Sequence, residues 1–163
     1  MFKLAPLSAA IVLALAGQVM AADSTSNQTQ DGKENIAEVT QTLAPFASAT
    51  QSQTGKGHNH LAVQANSTSD IQQSATGSYN AGYAEQLYEN GSQITQQAGG
   101  SYNDAFASQS LGENNQVLQT QQGSENHSTV WQDSQQGSQV TTCLLYTSPS
   151  PRDATLSRMP SSA

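Results

Sequence analysis

Gln119-Thr-Gln-Gln-Gly-Ser-Glu-Asn-His-Ser-Thr-Val-Trp-Gln132 decides how this chain is read. Two short arms flank a Gly-Ser-Glu-Asn turn, and Ser128 and Val130 alternate with their neighbours after it. Alternation over so few residues, interrupted by Gly and Asn, predicts strand, turn, strand. A single unit of this kind has no face it can bury alone. The chain repeats it.

The glycines that open each turn, Gly32, Gly55, Gly77, Gly100 and Gly123, lie 23, 22, 23 and 23 residues apart. Three residues past them come Asn35, His58, Asn80, Asn103 and Asn126. Nine past come Gln41, Gln64, Gln86, Gln109 and Gln132, and four before come Gln28, Gln51, Gln73, Gln96 and Gln119. Val39, Ala62, Ala84, Ala107 and Val130 form an apolar column, and Ile71, Ile94, Val117 and Val140 another. Columns that keep step at this period predict an all-β solenoid or cross-β stack of strand-turn-strand rungs. Stacking places like residues over one another about 4.8 Å apart, so a buried Gln can bond to the Gln above it. The Asn, following Gly, is expected to serve the turn through its tolerance of positive φ. Stacking also sets Tyr79 over Tyr102 and Tyr83 over Phe106, which predicts aromatic ladders on the outside.

The ends differ from the middle. Residues 1–21 combine Lys3, an apolar run from Leu4 to Ala16 and a Val19-Met20-Ala21 cleavage pattern, which predicts a helical secretory signal peptide. Residues 22–142 hold five repeats and the opening of a sixth, with Pro45 expected in a turn or at an edge. From Cys143 to Ala163 the repeat and its composition stop together. That segment resembles, residue for residue, a translated transposase-type sequencing adapter, and a non-native tail is expected.

The formal net charge is −7, and in the repeats eleven carboxylates face only Lys33 and Lys56. Such a surface repels nucleic acid and anionic membrane, and no membrane span is expected after the signal. The carboxylates are expected at turns and outward positions, as brakes on premature association. Cys143 is the single cysteine, so no disulfide framework is expected. Few large aliphatics and much Gln, Ser and Gly would read as disorder, unless polar side chains pair rung by rung.

No constellation predicts catalysis, and no enzyme, metal or cofactor is expected. His58 and His60 sit two apart but lack a third ligand, and His58 occupies the Asn column. His127 and Ser128 are adjacent and so face opposite ways on a strand. Glu34 and Glu38 read as outward charges, and Gly99-Gly100-Ser101 is followed by no Lys for phosphate.

The motif Gln-x-Gly-x-x-Asn-x-Ala-x-Val-x-Gln, intact at Gln30–Gln41 and with Ser for Ala at Gln121–Gln132, resembles the curlin repeat of curli fibre subunits. Ser24, Ser69 and Ser92, eight before their glycines, fit the same pattern. The resemblance implies a secreted structural subunit of a bacterial functional amyloid. It further implies an extracellular or cell-surface fibre for biofilm matrix, adhesion and cell aggregation. Implied partners are further copies of the chain, other curlin subunits, an outer-membrane secretion channel and periplasmic chaperones. Gln28, Gln51, Gln73, Gln96 and Gln119 replace the inward aliphatic of major curlins, and Ala75 and Ala98 replace a Gln. The alternative is a monomeric β-solenoid adhesin or ice-binding protein. That reading needs flat outer rows of Thr, whereas the outward columns are expected to mix Glu, Tyr, Leu and Thr.

Overall fold

The computed structural model describes residues 23–146. The expected signal helix lies outside them, as does most of the expected tail. Each rung contributes two strands. They are β1 (Thr25–Lys33) and β2 (Ile36–Thr42), β3 (Ser48–Lys56) and β4 (Asn59–Ala65), and β5 (Thr68–Ser78) and β6 (Ala81–Leu87). Then follow β7 (Asn90–Ser101) and β8 (Asp104–Ser110), β9 (Gln116–Ser124) and β10 (His127–Asp133), and β11 (Gln139–Tyr146). Odd strands form a six-stranded sheet in the order β1-β3-β5-β7-β9-β11, and even strands a five-stranded sheet in the order β10-β8-β6-β4-β2. Every pairing is parallel, as stacking of successive rungs requires. The protein is a two-sheet β-solenoid of five rungs and half of a sixth, with a period of about 23 residues. β11 crosses the expected boundary at Thr142, its backbone staying in register with β9 as far as Tyr146 opposite Gly123.

The apolar core is thin. Ala49, Ile71, Ile94 and Val117 of the six-stranded sheet pack on Ala62, Ala84, Ala107 and Val130 of the other, with Val39 and Val140 at the two ends. These are the two columns expected from the spacing, and small residues opposite larger ones let the sheets close on each other.

Two arcs join the sheets. In the first, between odd and even strands, the residue just before the Asn column takes the left-handed conformation: Glu34, Gly57, Tyr79, Tyr102 and Glu125. This corrects the expected role of the asparagines, since Asn35, Asn80, Asn103 and Asn126 do not have positive φ. The glycines opening the turn have positive φ for a second reason, close approach. A Cβ on Gly100 would overlap the carbonyl oxygen of Gly123 one rung up, and Gly32, Gly55 and Gly77 repeat the clash.

The second arc turns at Leu43, Asn66, Tyr88, Leu111 and Ser134, all of positive φ, and Pro45 lies in its first copy as expected. This arc also absorbs the single 22-residue spacing. Thr68 pairs with Asn90, but the next pair is Asp70 with Gln93, so Gly91 and Ser92 stand opposite Ser69 alone. Gly91 takes φ of +63° and forms the bulge. Gly100→Ala is expected to lower stability by several kcal/mol because backbone must move. Its neighbour Gly99→Ala, whose Cβ would find nothing nearer than 3.7 Å, should leave the denaturant midpoint within about 0.5 kcal/mol of wild type.

Candidate functional site: the stacked amide ladders

The residues singled out by the repeat converge on one feature, a set of side-chain ladders along the stack. On the six-stranded sheet, the Nε2 of Gln28 donates to Oε1 of Gln51, and this repeats from Gln51 to Gln73, Gln73 to Gln96 and Gln96 to Gln119 at 2.8–3.1 Å. On the five-stranded sheet, Gln41, Gln64, Gln86, Gln109 and Gln132 do the same at 2.7–3.0 Å. Every interior member of both ladders is buried.

Each amide has a second N–H, and it ties the sheets together. Gln51, Gln73, Gln96 and Gln119 donate across the core to the carbonyls of Glu38, Leu61, Tyr83 and Phe106. From the opposite sheet, Gln41, Gln64, Gln86 and Gln109 donate to Thr25, Ser48, Asp70 and Gln93. A primary amide has two donors and an acceptor, so it can satisfy a neighbour above, a neighbour below and the facing backbone at once. An aliphatic in the same column would pack but could not bridge. Because each Nε2 from Gln28 to Gln96 and from Gln41 to Gln109 donates to the next rung, the ladders give the stack a direction.

A third column is broken. Gln30 donates to Gln53 at 3.2 Å, Ala75 and Ala98 follow, and Gln121 beyond them keeps an unpartnered buried Oε1.

The asparagines hold the first arc. Asn80 Nδ2 donates to the carbonyl of Thr76 four residues back and to that of Gly100 one rung on, while its Oδ1 accepts the backbone N–H of Asn103. Asn35 and Asn103 repeat the pattern, and Asn126 keeps the bond four residues back, to Gln122, and donates to Asn103 Oδ1. It is the amide, not backbone freedom, that selects Asn here. His58 substitutes for it: Nε2 lies 3.1 Å from the Thr54 carbonyl, and Nδ1 accepts the N–H of Asn80 at 3.3 Å. This geometry assigns the neutral tautomer with its proton on Nε2.

His60 lies inside the core in a column of small residues, Ala37 before it and Gly82 after. A Cβ on Gly82 would approach His60 Cδ2 to 3.2 Å, so the imidazole uses the space that glycine leaves. Its Nδ1 has no partner. Burial, with a smaller contribution from His58, lowers its pKa to about 4. Among the described residues no group of three or more His, Cys, Asp or Glu side chains gathers as metal ligands would.

The carboxylates depart from expectation at one position. Glu89 is only 2% exposed, inside the second arc. Its Oε2 accepts from Ser92 Oγ at 2.5 Å and Asn115 Nδ2 at 3.3 Å, while Oε1 is unpartnered. Gly112 lies at the same arc position one rung up, where a Cβ would overlap Asn115 Nδ2 and the Gln135 carbonyl oxygen and stand 3.0 Å from Glu89 Oε1. The others behave as expected: Glu34 is exposed and meets Lys56 at 3.6 Å.

The aromatic ladders form as expected, Tyr79 stacked on Tyr102 at 5.2 Å and Tyr83 on Phe106 at 5.1 Å. Trp131, 69% exposed, extends the second by tilting onto Phe106 at 4.7 Å. It belongs to the neighbouring column, opposite Ser108, and so arrives diagonally. The expected mixture of outward Glu, Tyr, Leu and Thr describes this five-stranded face only. Outward positions on the six-stranded sheet are mainly Thr, Ser and Gln.

The geometry defines the class, a parallel two-sheet β-solenoid whose core is polar by design of its columns. No family model, curated protein or solved structure matches the chain.

Gln86→Ala is expected to cost about 3 kcal/mol, because it removes three bonds and orphans buried groups on Gln109 and Asp70. The exposed Gln97→Ala should stay within about 0.5 kcal/mol, both read from denaturant midpoints. Lowering pH should also destabilise the fold. The unfolded chain protonates His60 near its ordinary 6.5 but the folded chain only near 4. Stability is therefore full above about pH 6.5 and falls by about 3 kcal/mol as pH drops towards 4. In His60→Ala that slope should flatten.

Proposed function

We propose that the chain is a structural subunit that assembles end to end into a fibre, a functional amyloid of the curli kind secreted for biofilm matrix and adhesion. One observation carries this reading: the first rung and β10 carry the ladder glutamines of the rungs inside the stack, while the β11 edge keeps Val140 in the apolar column but has Thr142 in the Gln column. β1, β11, β2 and β10 are sheet edges. The Gln ladders run through all five complete rungs with one direction of donation. An arriving copy that continues the column running from Gln41 to Gln132 would gain the bonds that an interior rung already has. Addition at an edge is the route by which cross-β structures template.

The curlin resemblance of the Gln-x-Gly-x-x-Asn motif supports the secreted setting, and with it an outer-membrane channel, periplasmic chaperones and other curlin subunits as partners. The charge supports it as well, since carboxylates keep chains apart until ladders align. Assembly in this reading needs no covalent step and no cofactor.

The test is purified chain spanning residues 22–142, incubated at high concentration with and without fibre seeds. Fibres are expected that bind thioflavin and diffract at about 4.8 Å along the axis and about 10 Å across it. A chain that stays soluble and monomeric under both conditions would overturn the reading.

A further inference from the structure

The solenoid has two unlike faces. Outward residues of the five-stranded sheet include Glu38, Glu85, Asp104 and Asp133 among the aromatics. On the six-stranded face three adjacent columns cover the middle: Thr50-Gln72-Thr95-Leu118, Ser52-Ser74-Gln97-Thr120 and Thr54-Thr76-Gly99-Gln122. None of these twelve residues is charged. In a chain with a net charge of −7, this is the broad surface on which a like molecule meets least repulsion.

We propose that this face pairs with the same face of a second copy, so that the fibre is a pair of stacks joined through their six-stranded sheets. The proposal rests on the fibre reading and adds to it which surface binds sideways, and to what.

The columns give the pairing a geometry. A twofold axis parallel to the stack and lying over the Ser74-Gln97 column carries each flanking column onto the other. Gln97 then faces Gln97, which suits amides that donate and accept equally. Leu118, an exposed apolar side chain standing on this face, comes opposite Gln122. Beside Gln122 the missing side chain of Gly99 leaves a shallow depression of about 140 Å³, lined also by Thr76 and Thr120. Knob and hollow therefore meet within one rung, twice for each pair of chains.

The rims agree in sign. The same axis carries the column containing Asp70 onto the column containing Lys33 and Lys56, with Asp70 one rung from Lys56 of the partner. Asp31, the other acidic residue on this face, comes opposite the neutral Asn27. Small and amide side chains in flat rows are what a dry, interdigitated sheet-to-sheet contact requires, and a weak contact repeated at every rung becomes strong along a fibre.

Gln72→Glu with Gln97→Glu tests this without altering shape, since both side chains are exposed and the change adds only charge. Asn59→Asp with Asn66→Asp adds the same charge away from the face. Mass per length is measured by electron microscopy on fibres of the full chain. Wild type and the Asn variant are expected to show two chains per solenoid rise, and the Gln variant one, a twofold drop. Single-stack wild-type fibres, or a Gln variant that stays paired, would overturn the pairing while leaving the fibre reading intact. Single stacks that bind insoluble cellulose, with binding lost in the Gln variant, would overturn it and assign the face to a polyhydroxylated polymer. If no protein forms fibres, the fibre reading fails. The pairing then stands on sedimentation: a wild-type dimer that the Gln variant dissociates supports it, and a monomer overturns it.

Discussion

A buried primary amide that finds another directly above it is the interaction on which this molecule depends. An amide removed from water without partners costs a few kcal/mol, and the ten ladder glutamines would make an ordinary core of this composition untenable. Stacked in register they bond to each other and to the facing backbone. The net gain of each bond is about 1 kcal/mol, so the ladders stabilise less by strength than by specificity. A slip of one residue would turn every glutamine to the wrong face and leave each without its partner. The ladders thus fix register in a chain with too few large aliphatics to do so.

The rest of the architecture follows from keeping amides aligned. The rungs must approach to ladder distance at the turns, which is why glycine recurs where carbonyls come close, and why Gly100→X would push rungs apart. The core must be thin enough for a Gln side chain to reach the opposite backbone, which alanine against isoleucine or valine provides. The extra volume of His60 is accepted only because Gly82 gives way beside it. Irregularity is moved to the second arc, where the bulge at Gly91 restores register after a rung one residue short.

Much of this was readable from the residues, for a physical reason. When structure is a stack, identity at a fixed period is contact, so the Gln, Gly and apolar columns translate directly into ladders, close approach and core. Features that depend on conformation without identity were not readable. The left-handed position in the first arc is held by Glu34, Gly57, Tyr79, Tyr102 and Glu125, which share no chemistry, whereas the recurring asparagines beside them are the residues that composition marks for positive φ. Glu89 reads as a turn carboxylate because nothing in its own sequence context announces that Ser92 and Asn115, one of them a rung away, close over it. The unlike faces are hidden for a related reason, since which outward residues share a face depends on how the strands divide between two sheets. The Gln-x-Gly-x-x-Asn motif is a statement about the same columns.

The central claim is most directly tested by hydrogen exchange of glutamine side chains, followed by NMR on chain labelled with nitrogen-15 at the amides. Protected Nε2 resonances from Gln51, Gln64, Gln73, Gln86, Gln96 and Gln109, with transfer between residues one rung apart, are what stacked amides require. Side-chain amides that all exchange at the rate of free glutamine in water, while backbone strands remain protected, would contradict the account.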